Sequence, residues 1–472
     1  MKSMTNGHGS HHVIEITEKP PLEVNNELFG WSSTLGSKYR LAIGITGILF
    51  LLGIVGFIMK VQQNGFSDYV PWAYLTAAFG FVMLFAMSAP MLAIVPRLAR
   101  GHWGRPISRI AELWALIGIL LLIVMIPLLL ALPEADGRNT FWFVDKYREG
   151  WPPGAPHVWL ALLMVGLVVN GIALLWTAAI PDFAAIRDKS ISSGKSAKLY
   201  GKLALGWRGT KRQWRSLRAS HGVLGALYFA TMVWSQTMIN YDFSQSLIPG
   251  MRDSIFPAWY VISGLQSGVG LVLVTAYIAR KFGNLQDYIH VNQFWSASKI
   301  LLALSLLWAY FWWSGFIVYW YGKTETEKNI IDLFWFGAYK PMFILNMLLN
   351  FFIPLIFLMW NRVRKSDWGP AFVGFIVILG SLVNCIRIFT AAFSLPDRAI
   401  GHQLHTVPES IMKPDLPDVL MVSGIISGAI LLYLIAIRYI PIISAWEIRE
   451  GMLYQTVRYL HKLPLKVIGK PD

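Results

Sequence analysis

Two charged residues, Asp242 and Arg387, lie within or at the edge of apolar stretches long enough to cross a bilayer. A charge at that depth is costly and marks a functional site by default. Asp242 falls at the outer end of the fifth apolar stretch and Arg387 in the outer third of the ninth, so both reach the same leaflet. Two chemistries fit them. They form an ion pair that joins two halves of the protein, or they line a site for a polar quinone head group that binds near the interface while its tail stays in lipid. Haem b would need axial histidines facing each other between helices. His157 and His221 lie at opposite membrane faces, so a bis-histidine haem is not expected. A proton or ion carrier needs titratable groups near the midplane. The middles of the apolar stretches offer instead the amides Asn170, Gln236, Gln266, Asn346, Asn350 and Asn384, which read as interhelical hydrogen-bond partners.

The elements that position these groups are membrane helices. The 472 residues are 55% hydrophobic and 14% charged, with 21 Trp, 18 Tyr and 27 Phe. A mean hydropathy of +0.50 excludes an ordinary soluble domain. Ten spans are read near Leu41–Lys60, Val70–Arg97, Ile107–Leu132, Pro156–Ile180, Leu217–Ile239, Ile255–Ala279, Ala297–Tyr321, Tyr339–Met359, Gly369–Phe393 and Val419–Tyr439. Each is about 20 residues or more, enough for a hydrocarbon core of roughly 30 Å. Tryptophans such as Trp72, Trp142, Trp234, Trp259 and Trp320 fall at span ends, as an interfacial belt requires.

Net charge is +15, and the bases concentrate in alternate loops, above all between Pro181 and Ser216. That pattern reads as topology rather than nucleic-acid binding, and it puts the base-rich loops and both termini in the cytoplasm. The intervening loops are richer in acid, with Glu134, Asp136, Asp145, Glu149, Asp253, Asp332, Asp397 and Asp418. The one cysteine, Cys385, excludes an internal disulfide and a cysteine-ligated cluster carried by this chain alone. Residues 1–36 read as a disordered polar tail without the apolar core of a signal peptide, and His8, His11 and His12 in it lack metal-site spacing. In Ser444–Asp472, Trp446, Leu453, Val457 and Leu460 recur at helical spacing, which predicts an amphipathic surface helix ending before Pro464.

The chain also resembles itself. Pro71-Trp72-Ala73-Tyr74 opens the second span and Pro257-Ala258-Trp259-Tyr260 the sixth. The expected fold is therefore all-α: a membrane domain over residues 37–442, with four-helix bundles at about 70–240 and 255–394, two peripheral helices, and a cytoplasmic tail over 443–472.

The central motifs narrow the reading. Ile180-Pro181-Asp182-Phe183, then Leu205-Gly206-Trp207-Arg208-Gly209, then Tyr241-Asp242-Phe243 with Ile248-Pro249-Gly250 and Ser254-Ile255-Phe256-Pro257 resemble the NrfD/PsrC family of integral membrane proteins. Their order is most similar to the ActC-type subunit of alternative complex III. The resemblance implies a subunit of a respiratory complex in a bacterial inner membrane. It would bind quinol near the outer face as substrate, hold no cofactor or metal of its own, and pass electrons to a periplasmic iron–sulfur subunit. Multihaem cytochrome c subunits and a second NrfD-like membrane subunit would be its other partners, besides lipid.

On that resemblance Asp242 accepts a proton or bonds a quinol hydroxyl, Arg387 orients it, and Gln236 and His157 complete the site. Positions where relatives offer His or Asp are here Met87, an uncharged residue near Pro133, Leu160 and Gln236. His157 stands close enough to Leu160 to substitute, and Arg138 and Arg252 fit either quinone oxygens or a docking partner. Three functions follow: a quinol-oxidising subunit, a non-catalytic scaffold with a degenerate site, and, last, a secondary transporter.

Overall fold

The computed structural model describes residues 19–132, 157–189, 195–395, 403–460 and 463–468. The loop acids from Glu134 to Glu149, Arg138, Asp397 and the histidines of the first twelve residues lie outside these. Fourteen helices are labelled in chain order. The first are α1 (Pro21–Gly30), α2 (Ser37–Asn64), α3 (Val70–Leu98), α4 (His102–Ala131), α5 (His157–Lys189), α6 (Lys195–Leu203) and α7 (Lys211–Phe243). Then come α8 (Ile255–Phe282), α9 (Val291–Gly322), α10 (Glu325–Ile331), α11 (Lys340–Met359), α12 (Trp368–Phe393), α13 (Leu416–Tyr439) and α14 (Ala445–Leu453). Among the described residues 10 of these are long and apolar enough to cross a membrane: all but α1, α6, α10 and α14. The protein is a multi-pass helical membrane protein.

Helix starts follow local chemistry. Thr210 caps α7 in a capping box with Gln213, which is why the helix begins at Lys211 rather than near Leu217. Asp415 and Asp418 form the same box at α13. Helices α3, α4, α5 and α7 pack as one bundle and α8, α9, α11 and α12 as a second. They meet where α3 lies against α8 and α12, so 94% of the apolar stretch of α3 is buried, against 11% for α2. Small residues let these backbones approach: a Cβ on Gly268 would lie 2.8 Å from Ser88, and one on Gly270 would lie 2.7 Å from the Gly374 carbonyl.

Helices α2 and α13 pair outside the bundles. A Cβ on Gly53 would sit 2.5 Å from the Cα of Gly424. The same seam is tied by Lys60 Nζ to Asp415 at 2.7 Å and Asp418 at 2.9 Å, and by the Tyr39 hydroxyl donating to Leu434 O at 2.7 Å. Gly424→Leu is expected to lower stability by about 1–3 kcal/mol through overpacking at this backbone contact. Thermal unfolding in detergent checks it, and an unchanged midpoint would mean that the seam opens freely.

Both tails differ from the sequence reading. Val24, Leu28 and Trp31 recur at i, i+4 and i+7, so residues 21–33 fold as α1 and a following 3₁₀ turn rather than remaining disordered. The Trp31 indole donates to Gly283 O at 2.7 Å. Lys19 reaches Glu27 and Asp287, each at 2.8 Å, and the Tyr288 hydroxyl donates to Glu27 at 2.6 Å. The Lys19 ammonium, with Tyr288, holds the Glu27 carboxyl below its ordinary 4.5. A depressed carboxylate stabilises above its unfolded pKa and loses that contribution as pH falls through its folded one. Protection of Lys19–Ser33 from protease is therefore expected to weaken below pH 4.5. Equal cleavage at pH 4 and 7 would remove this role.

At the other end the surface helix stops at Leu453. Gln455–Leu460 (β1) and Leu463–Ile468 (β2) pair antiparallel, with Pro464 opposite Tyr459. Thr456, Val457, Tyr459, Val467 and Ile468 are strand formers, and a two-stranded ribbon has free edges that tolerate Pro464.

Candidate functional site

The C-terminal end of α7 and the turn that follows it are polar for a membrane helix. Gln236, Asn240, Ser244, Gln245 and Ser246 are each 0–1% exposed, and Asp242 is 3% exposed. Gln236 donates from Nε2 to Ser88 Oγ on α3 at 2.8 Å, and its side chain lies where a Cβ on Gly264 of α8 would stand. Asn240 follows at i+4 and so shares that face of α7. Neither its amide nitrogen nor its amide oxygen has a hydrogen-bond partner among the described residues, and Gln236 Oε1 has none either. A buried polar atom left unpaired costs about 1–3 kcal/mol. Asn240 was missed in the sequence; its spacing from Gln236 was the available signal.

Six residues separate Gln236 from Asp242, which places them about 120° apart around α7 at roughly 100° per residue. They belong to the same helix end but face different neighbours. The Asp242 carbonyl accepts from Ser246 Oγ at 2.9 Å, and the turn Gln245–Leu247 packs against α12. Beyond it Gln245 Nε2 donates to Asp253 O at 2.6 Å. The Asp253 carboxylate caps α8, accepting from Ile255 N at 2.7 Å and Phe256 N at 3.1 Å. Burial pushes the Asp253 carboxyl up from its usual range, and those two amides pull it back. Two carboxylates thus flank the polar end of α7.

Arg387 sits apart, in the second bundle. It is fully buried and donates from Nη1 to Phe334 O at 2.7 Å and from Nη2 to Asn384 Oδ1 at 2.8 Å. The rings of Trp259, Phe334 and Phe343 surround it at 5.9, 5.7 and 5.8 Å. The expected ion pair with Asp242 is not formed, and no described carboxylate stands at ion-pairing distance from the guanidinium. Aromatic faces and a carbonyl supply partial negative charge instead. From Arg387 a hydrogen-bonded series runs through Asn384, Asn346 and Asn350 to Gln266 and Ser305. Asn350 lies in a π-helical bulge at Leu348–Phe352 that interrupts α11. These amides link helices, as the sequence reading holds.

The remaining site positions are mixed. His157 opens α5, but its side chain lies outside what the structure describes. Met87 and Leu160 are 0% and 1% exposed and belong to the apolar core, and Met87 O accepts from the Tyr228 hydroxyl at 2.8 Å. Arg252 is exposed.

A buried ion cluster on the base-rich face was missed altogether. Arg97 reaches Glu447 at 2.7 Å and also pairs with Glu112. Arg109 reaches Asp182 at 3.1 Å and Glu112 at 3.4 Å, and donates to Ala178 O at 2.7 Å. Asp182 also accepts from Ser444 Oγ at 3.3 Å and Trp446 N at 3.2 Å. The cluster clamps α3, α4, α5 and α14 together. Asp182 of the Ile180–Phe183 motif is thus a structural anchor, and Leu205, Gly206 and Gly209 at φ 47°, 66° and 73° make the tight turn into α7. No protein-family model matches the chain, and no curated protein matches it significantly.

Proposed function

We propose that this chain is the membrane subunit of a bacterial electron-transfer complex of the alternative complex III type and that it binds hydroquinone at the outer end of α7. The observation that supports the reading is Asn240. A fully buried amide with both groups unpaired, on the same helix end as Asp242 but about 160° from it around α7, wants a ligand that both donates and accepts hydrogen bonds, which a quinol hydroxyl does. Removing two electrons from quinol releases two protons, so an acceptor must stand at a hydroxyl. Asp242 is assigned that role, with Gln236 fixing the helix against Ser88. Arg387 contributes by holding the neighbouring bundle in place rather than by pairing with Asp242.

The electrons leave to an extrinsic iron–sulfur subunit, with multihaem cytochromes and a second membrane subunit completing the assembly. With the base-rich face in the cytoplasm, the end of α7 lies on the periplasmic side of the plasma membrane. A second reading is a scaffold with a degenerate site, favoured by the tight packing of Met87 and Leu160 where relatives of the resembled family offer His or Asp. Equilibrium binding of a short-chain quinone to the purified complex separates the two. Asn240→Leu is expected to weaken binding about 10-fold, the value of one buried hydrogen bond. Parental affinity in that variant, or no saturable binding to the parent, favours the scaffold.

A further inference from the structure

On the base-rich face a hollow of about 960 Å³ opens between the end of α5, the Trp207–Gly209 turn, the first turns of α7, α14 and α1. Six cations border it: Arg187, Arg208, Lys211, Arg215, Arg218 and Arg449. Three carboxylates do as well, Asp182, Asp188 and Glu450, and each is already engaged. Asp182 holds Arg109 at 3.1 Å, Asp188 holds Arg187 at 2.8 Å, and Glu450 holds Arg218 at 2.9 Å and Arg105 at 3.3 Å. Arg208, Lys211, Arg215 and Arg449 are left without a carboxylate partner among the described residues. These four side chains are exposed, so water screens part of their mutual repulsion, and an anion in the hollow would relieve the rest. The positive end of α7 opens onto the same space at Lys211, which adds to its preference for an anion.

The walls say which kind of anion. Trp207 and Trp214 stand edge to face at 5.0 Å, Trp446 lies 5.4 Å from Trp214, and Phe29 and Leu453 add apolar surface. Leu453 on its wall is 81% exposed. The hollow lies where α5 ends and α7 begins, and its tryptophans are of the kind that gather at a membrane interface. A ligand with a charged head and an apolar body matches cations lined by tryptophan and leucine better than an acidic polypeptide does. The preference for bases on one face accounts for their side of the membrane, but not for four unpaired cations around one cavity.

We propose that this hollow is a binding site for the phosphate-bearing head group of an anionic phospholipid from the adjacent leaflet. Its volume lies within the range of about 300–1,000 Å³ typical of ligand sites. The site stands on the opposite face from the outer end of α7 and does not rest on the quinone reading.

Native mass spectrometry of the full-length protein in its complex, delipidated in neutral detergent, tests the site. The probes are phosphatidylglycerol, phosphatidylcholine and inorganic phosphate. Phosphatidylglycerol is expected to bind one per chain at least about 10-fold more tightly than phosphatidylcholine. The combined variant Arg208→Gln, Arg215→Gln and Arg449→Gln is expected to lose that preference. Arg212→Gln, an exposed change on the same helix outside the hollow, is expected to keep it, which guards against a general charge effect. Equal binding of the two lipids, or an unchanged preference in the triple variant, overturns the proposal. Saturable binding of inorganic phosphate without lipid preference moves the site to a soluble anion and overturns its lipid half. A triple variant that instead sheds an acidic protein subunit, with lipid binding intact, makes the face a protein dock.

Discussion

Replacing Arg109 with leucine is expected to cost about 3–5 kcal/mol and leave little monodisperse protein in detergent, because it strands buried carboxylates. Arg109 and Glu112 have fully buried side chains and Asp182 is 1% exposed, so neither acid has water to fall back on. Arg97 still faces Glu112 and Glu447, but Asp182 loses its one charged partner among the described residues. The Ala178 carbonyl loses a donor as well, and α14 keeps its hold on α5 only through Ser444 and the two Trp446 donors. Adding Asp182→Asn to Arg109→Leu is expected to recover much of the loss, since the stranded charge is then gone. Thermal unfolding of the single and double variants reads both effects. A single variant within about 1 kcal/mol of the parent would show that this cluster does not hold the bundle to its C-terminal helix.

The second large effect falls on turnover. In the proposed site Asp242 takes a proton from quinol, and loss of a positioned base lowers rates by about 10²–10⁴-fold. Asp242→Asn keeps the shape and removes the base, so quinol oxidation by the intact complex is expected to fall by that amount. Asp242→Glu is expected to restore part of it, with a shifted pH profile. Assembly is expected to survive in both, because each substitute keeps a polar, hydrogen-bonding side chain at that position of α7. A complex carrying Asp242→Asn that turns over at the parental rate leaves Asp253, also at this end of α7, as the acceptor to examine next.

The sequence made the membrane architecture legible because its physics is one-dimensional. A helix that spans lipid must be a continuous apolar run, so the span centres are read directly, and only their ends shift where caps such as Thr210 extend them. The repeat at Trp72 and Trp259 likewise anticipates the two bundles, since each opens the helix that forms the central seam. What escaped the reading depends on return contacts. Arg97, Arg109, Glu112 and Asp182 each read as ordinary charges near span ends, and only the folding back of α14 with Glu447 gathers them. The sequence reading puts Asp242 and Arg387 in one leaflet, but depth along the membrane says nothing of lateral position. The second bundle gives Arg387 its own cage of Trp259, Phe334 and Phe343. In the C-terminal tail helical spacing competed with strand propensity, and the β-branched and aromatic residues decided it.

The account rests most heavily on a ligand at the outer end of α7. A density map of the assembled complex supplied with quinone tests it directly. The expected result is a head group within hydrogen-bond reach of Asn240, its tail leaving toward lipid. Packed side chains or an acyl chain filling that place would contradict it.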